Sequence, residues 1–298
     1  MIRDYNDFAH YKYKLSNEDI FSENLEFGIS GIKYDSKTLL VLPRNKSLSP
    51  INQYPKLEFV EFNNYDLNES EIGILAENKS TLSKIKYLSF WNTQLPNLKI
   101  LEYFQNIECL NIAHITDVDF TFDGIDYLEK LKTLCLLKTG KIKDLKEIQI
   151  RNEIENFSLI QPTKIKSTEG IENFSGLKYL NIEGSLDTTY KIEKLSGLDN
   201  LITLEKIKFH KVNVPFNELM KLKKIPNQIE LIIDYNLYPT EQYKELSLEL
   251  KNVNSTVFVP YIDKGDFIQP IGKGKRIIRQ SDKKIEEKKE RLISDWNK

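Results

Sequence analysis

The stretch Ile85-Lys86-Tyr87-Leu88-Ser89-Phe90-Trp91-Asn92-Thr93 holds two apolar residues, Leu88 and Phe90, separated by one position, with a third, Ile85, three positions upstream. The same figure recurs at Leu177-Lys178-Tyr179-Leu180-Asn181-Ile182. Worked outward from these copies, apolar pairs fall at Leu40/Leu42, Val60/Phe62, Leu88/Phe90, Leu110/Ile112, Leu134/Leu136, Phe157/Leu159, Leu180/Ile182, Ile207/Phe209 and Leu231/Ile233. Pairs picked for being apolar cannot test themselves, but the position three before each pair can. It reads Lys37, Leu57, Ile85, Ile107, Leu131, Ile154, Leu177, Leu204 and Gln228, apolar everywhere except at the two ends, where terminal repeats are commonly atypical. A background of 40% apolar residues would make fewer than half of these positions apolar. Val257-Phe258-Val259 reads as a tenth, closing strand.

Alternation with period two makes each pair a short strand with both apolar side chains on one face. One unit of this length cannot bury that face alone. Stacked units bury it as a continuous column beneath a parallel sheet, held by contacts between neighbours. The segments that return the chain, such as 70–83 and 196–203, are expected as short helices or 3₁₀ turns on the opposite, convex side.

The pattern resembles the leucine-rich-repeat family, whose unit reads Leu-x-x-Leu-x-Leu-x-x-Asn over roughly 20–29 residues. The upstream rhythm Ile171, Phe174, Leu177 resembles the irregular units of bacterial internalins. The resemblance covers about residues 37–240. It implies an α/β solenoid with a parallel β-sheet on the concave face. One column departs from the family pattern. The position three after each pair, Asn in the family, reads Asn45, Tyr65, Thr93, Ile115, Thr139, Pro162, Ser185, Val212 and Asn236, so coils of unequal shape are expected at that corner.

The sequence divides into an N-terminal cap (1–36, with Phe8, Tyr11, Tyr13, Phe21, Leu25 and Phe27 out of phase), a solenoid of nine to ten repeats (37–262) and a basic joint with a helical tail (263–298). Within the tail, Gly272-Lys273-Gly274-Lys275-Arg276 reads as a flexible joint. Ser281 reads as the cap of a helix running to about Asn297, with Ile285, Leu292, Ile293 and Trp296 on one stripe. The joint lacks the Gly-Lys-Ser/Thr ending of a phosphate loop.

The chain has 298 residues, 43 Lys+Arg against 44 Asp+Glu, and a formal net charge of −1. That balance excludes a global field for nucleic acid or an anionic membrane. It conceals a polarity, because residues 272–298 are basic and the remainder is acidic. No apolar run approaches the roughly 18 residues of a membrane span. The polar start lacks the apolar core of a signal peptide, so a cytoplasmic location is expected. Two cysteines exclude a disulfide framework and fit a reducing compartment.

Catalytic and metal signatures are missing. His10, His114 and His210 stand in separate segments, and no His or Cys pair has metal-ligand spacing. Neither Gly-x-Ser-x-Gly nor His-Glu-x-x-His occurs. Cys109 precedes its pair while Cys135 lies inside the next. Their Cα atoms should therefore stand roughly 8 Å apart, too far to bridge, and two free thiols are expected. Some bacterial leucine-rich-repeat effectors are ubiquitin ligases with a catalytic Cys in a separate domain after the repeats; here no Cys follows position 135, so that enzyme reading is rejected. A non-enzyme is expected, with no cofactor, no metal and no small-molecule substrate.

The register writes out the concave face. Phe59, Tyr87 and Tyr179 stand just before their pairs, Glu61, Ser89, Asn111 and Lys208 inside them, and Trp91, Glu183, His210 and Asp234 just after. Outward aromatics are typical interface anchors. The expected partner-binding set is Phe59, Glu61, Tyr87, Ser89, Trp91, Asn111, Tyr179, Glu183, Lys206, Lys208, His210 and Asp234. By analogy with the fold, the expectation is a scaffold binding a protein partner through this face. The Lys-, Asn- and Ile-rich composition points to a bacterium, and an immunity-type protein that neutralises a toxin is the finer expectation. The alternatives are a secreted or host-directed effector, and a nucleic-acid binder acting through the basic C-terminal region.

Overall fold

The computed structural model describes residues 38–43 (backbone alone), 51, 57–65, 67–115, 119–150, 153–185 and 187–298. The N-terminal cap 1–36, His10, Asn45 and the side chains of the first repeat's strand lie outside the described residues.

Every apolar pair lies in a strand. In chain order these are β1 (Thr38–Pro43), β2 (Leu57–Asn63), β3 (Tyr87–Trp91), β4 (Cys109–Ala113), β5 (Thr133–Leu137), β6 (Asn156–Ile160), β7 (Tyr179–Glu183), β9 (Lys206–His210) and β11 (Ile229–Ile233), with short β8 (Tyr190–Lys191) and β10 (Val212–Asn213) pairing beside them. One ten-stranded sheet runs β1-β2-β3-β4-β5-β6-β7-β9-β11 and ends on β12 (Val253–Asn254), and its strands pair in parallel. Equivalent repeat positions face each other at each step: Ser89, Asn111, Cys135, Ser158, Asn181 and Lys208 are successive partners. This is the leucine-rich-repeat solenoid that the sequence pattern implies.

The tenth strand differs from expectation. It is β12 (Val253–Asn254), paired through Ile229 and Val253, while Val257 is buried in the turn that follows. Three apolar residues in a row gave the wrong register because the closing coil needs only a two-residue rung.

The convex side returns the chain through α1 (Glu69–Glu77), the one-turn segment Lys79–Leu82 and 3₁₀ turns at Lys99–Tyr103, Ile125–Tyr127, Leu145–Glu147, Ile171–Asn173 and Leu198–Asn200. Asn68 caps α1 by accepting from the Glu71 N–H at 3.1 Å. Gly124 and Gly170 open two of the 3₁₀ turns at φ +102° and +98°. A Cβ there would stand 2.4 Å from Leu98 O and 2.5 Å from Lys146 N, so glycine lets each coil press onto the backbone of the one before. Asp144 opens the Leu145–Glu147 turn differently, with a reciprocal capping box to Glu147.

Between the two sides runs one apolar core of Leu, Ile and Phe, including Phe62 stacked on Phe90 at 5.4 Å and Phe157 against Phe174 at 5.0 Å. α2 (Thr240–Glu249) closes its far end with buried Tyr243 and Leu246. Burial pushes the Tyr243 phenol up to about 12.

The tail is more ordered than a joint and a helix. β13 (Tyr261–Asp263), β14 (Phe267–Pro270) and β15 (Ile278–Arg279) form a three-stranded antiparallel sheet, with the basic glycines in the β14–β15 turn. α3 (Ile285–Asn297) then packs Trp296 against the core, while Ile293 is exposed. Ser281 does not cap α3, whose N-cap residue Lys284 makes no side-chain cap bond; Asp282 accepts from the Lys284 N–H at 2.9 Å just before the helix. No helix among the described residues is long and apolar enough to cross a membrane.

Candidate functional site

The outward side chains of the sheet stand in three rows, and these rows change character along the solenoid. On β4, β5 and β6 every residue is buried, so both faces of the sheet are closed there. On β9 only Ile207 and Phe209, the core-facing pair, are buried. β11 likewise leaves Glu230 exposed and Ile232 half-buried. β2, β3 and β7 are intermediate, with half-buried residues at their ends.

Four residues expected on an open surface are therefore buried. Phe59 stacks on Tyr87 at 6.3 Å between ring centroids. Ser89 accepts from Asn111 Nδ2 at 2.9 Å across the β3–β4 step. Glu61 accepts from Asn63 Nδ2 at 3.2 Å. Each of these four finds a neighbour on its own face. Trp91 is half-buried, packed on a second apolar cluster of Ala113, Leu137 and Ile160, with its ring 4.8 Å from His114. Burial, helped by the Lys138 charge, holds the His114 imidazole below its ordinary range.

The remaining expected residues come together at the far half. Tyr179 and Glu183 on β7 face Lys206 and His210 on β9. Lys208 approaches Glu183 at 3.7 Å, Lys206 pairs with Glu230 at 2.9 Å, and His210 Nδ1 meets Asp234 Oδ1 at 2.9 Å. Lys206, Lys208 and His210 are thus each met by an acid from a flanking repeat. The side chains of Lys208 and His210 are 26% and 41% exposed. Such pairs contribute at most about 1 kcal/mol to stability.

A further column escaped the sequence reading. Asn64, Asn92, His114, Lys138, Gln161 and Lys211 follow their strands with φ near +50°. The first five donate their N–H to the carbonyl of the last residue of the next strand, for example Asn92 to Ala113 O at 2.9 Å. Lys211 instead donates its N–H to Asp234 Oδ2 at 2.7 Å, so Asp234 both closes a turn and orients His210. Recurrent left-handed positions without glycine are visible in sequence only where Asn marks them. In the column one place later, Thr93 replaces the family Asn by donating to Phe62 O at 3.0 Å.

The register sets Cys109 opposite Thr133 and Cys135 opposite Asn111, the two-position offset read from the sequence, and both thiols are free and buried. Burial, with Cys135 alongside, pushes the Cys109 thiol well up, so it is held as an unreactive thiol. Among the described residues no group of three or more His, Cys, Asp or Glu could hold a metal ion. A cleft of about 390 Å³ lies between α2 and α3, lined by residues including Lys244, Lys275, Asp295 and Trp296.

No protein-family model matches the sequence, and no curated protein matches it. Among solved structures, an internalin (inlF) from Listeria monocytogenes is 15% identical over 74% of this chain and 76% of that one, with a TM-score of 0.40. The structure of a TLR13–ssRNA13 complex is 16% identical over 74% of this chain and 35% of that one, with a TM-score of 0.44. Internalin C2 (inlC2) from Listeria monocytogenes is 17% identical over 59% of this chain and 73% of that one, with a TM-score of 0.31.

Proposed function

We propose that the chain is a non-catalytic protein-binding scaffold whose partner docks on the open half of the concave face, over β7, β9 and β11. The observation that carries this reading is the return of alternating burial on β9 and β11, where charged side chains stand out from rigid strands. Paired charges of both signs add little to stability, but they steer and select a partner of complementary pattern. A sheet is a rigid platform, so little ordering cost is left for binding.

The test is affinity capture from the native cell with the full chain as bait. A Lys206→Glu/Lys208→Glu bait should lose the partner, whereas a control bait with Lys223→Glu/Lys224→Glu, at exposed convex positions, should retain it. Equal capture by all baits would sink the reading. A cytoplasmic bacterial protein that neutralises a toxin is the finer proposal, in which the Lys-, Asn- and Ile-rich composition supports the bacterial source alone. Co-expression decides it: a captured partner that is harmless in the absence of this chain removes the neutralising role.

A further inference from the structure

On β6 and β7 the buried polar atoms Asn156 Oδ1, Ser158 Oγ, Asn181 Nδ2, Asn181 Oδ1 and Glu183 Oε2 have no hydrogen-bond partner. Elsewhere on the same face, amide groups are used at least in part: Asn111 Nδ2 donates to Ser89 and Asn156 Nδ2 to Thr133 Oγ1 at 3.1 Å. Asn181 is different, because both ends of its amide are unpartnered while only 5% of the residue is exposed. Native proteins pair nearly all such buried groups, so an amide unmatched at both ends calls for a partner from outside the chain. Ser158 lies directly opposite Asn181 in the sheet register, and Lys208 lies opposite on the other side. Asn181 therefore sits where the closed half ends and the open half begins.

We infer that Asn181 takes the main-chain N–H and C=O of one residue in an extended segment of the partner. Its Nδ2 donates to the segment's carbonyl, and its Oδ1 accepts the segment's N–H. The spacing supports an extended segment lying along β7. Glu183 stands two residues beyond Asn181, about 6.6 Å away along the strand, and an extended chain returns N–H groups to the same edge at that interval. Glu183 Oε2 accepts the N–H two residues on, with Lys208, 3.7 Å from it, setting the carboxylate's orientation. Side-chain recognition alone would not call for an amide unpartnered at both ends; both atoms are shielded from solvent in the free chain, so the docking segment displaces what covers them. The inference rests on the open half being the docking face, and it names the kind of segment that docks there.

The test uses the full-length chain and a displayed library of random linear dodecapeptides as probe. An enriched peptide is synthesised together with copies carrying a single N-methyl group at each backbone amide in turn. Binding should fall at least tenfold for N-methylation at one amide, or at two amides two residues apart, and little elsewhere. It should fall at least tenfold with Asn181→Leu as well, while the melting temperature of that variant without peptide rises, because an unmatched buried amide has been removed. Failure to enrich any peptide, equal binding by all the N-methylated copies, or a lowered melting temperature for Asn181→Leu would overturn the inference. The N-methyl scan needs no variant, so it decides the matter even if Asn181→Leu fails to fold. Loss with Lys206→Glu/Lys208→Glu but not with Asn181→Leu would leave the docking face standing and remove the main-chain site at Asn181. Loss with Asn181→Leu but not with the charge reversal would overturn the proposed docking face and, with it, the inference that rests on it.

Discussion

Strands β4 to β6 and strands β9 and β11 share one repeat, one register and one apolar core, yet their outward faces have opposite fates. The first three are buried on both sides, whereas β9 keeps strict alternation and β11 leaves its outward residues partly exposed. The outward residues track the difference. Cys109, Asn111, Ala113, Thr133, Cys135, Leu137, Asn156, Ser158 and Ile160 are uncharged, whereas Lys206, Lys208, His210 and Glu230 are ionisable. Burying an unpaired charge is far costlier than burying a hydroxyl, amide or methyl group. The core-facing pairs build the solenoid throughout; the outward residues decide where the sheet's second face is closed and where it stays open to solvent.

Substitutions can break that comparison, and the largest effect is expected in the shared core. Phe157→Ala, at a fully buried position against Phe174, should cost about 3–5 kcal/mol in urea unfolding. Gly170→Ala should cost about 1–3 kcal/mol, since its Cβ meets Lys146 backbone in a left-handed conformation. Lys208→Ala should change stability by no more than about 0.5 kcal/mol while weakening partner capture. If Lys208→Ala cost as much as Phe157→Ala, the open half would be as structural as the closed one.

Glu218, beneath the open half, sharpens the comparison through pH. Desolvation raises its carboxyl, but Lys221 and the Leu195 N–H at 2.8 Å outweigh this and hold it below its ordinary value. A lowered folded-state value means that its stabilising contribution is complete above the ordinary value of 4.5. It is lost as pH falls through the lowered one. Glu218→Gln should therefore flatten the fall in melting temperature between about pH 4.5 and pH 3. An unchanged slope would show that the carboxylate does not contribute.

The fold was legible because each pair announces a strand and each spacing announces a coil, and all nine pairs lie in strands. The closing rung was misplaced because Val253–Asn254 is too short to alternate, while Val257-Phe258-Val259 imitates a strand in a turn. The tail sheet was missed because its strands are two to four residues long. For the candidate site, period two reports which side chains leave the core but not what then surrounds them. Phe59 and Trp91 look alike as outward aromatics, yet one is fully buried and the other half-buried against its own cluster. The shift from uncharged to charged outward residues was present in the sequence and carries the information that period two lacks.

The most direct test of the division is thiol accessibility under native conditions. Cys109 and Cys135 mark the closed half, and Lys208→Cys in a Cys109→Ala/Cys135→Ala chain marks the open half. The native thiols should react with a water-soluble thiol reagent at least about 100-fold more slowly than the introduced one, since they are reached only through local opening. Modification at position 208 should also abolish partner capture. Native thiols that react as fast as the cysteine at 208 would contradict a concave face closed at β4–β6 and open at β9–β11.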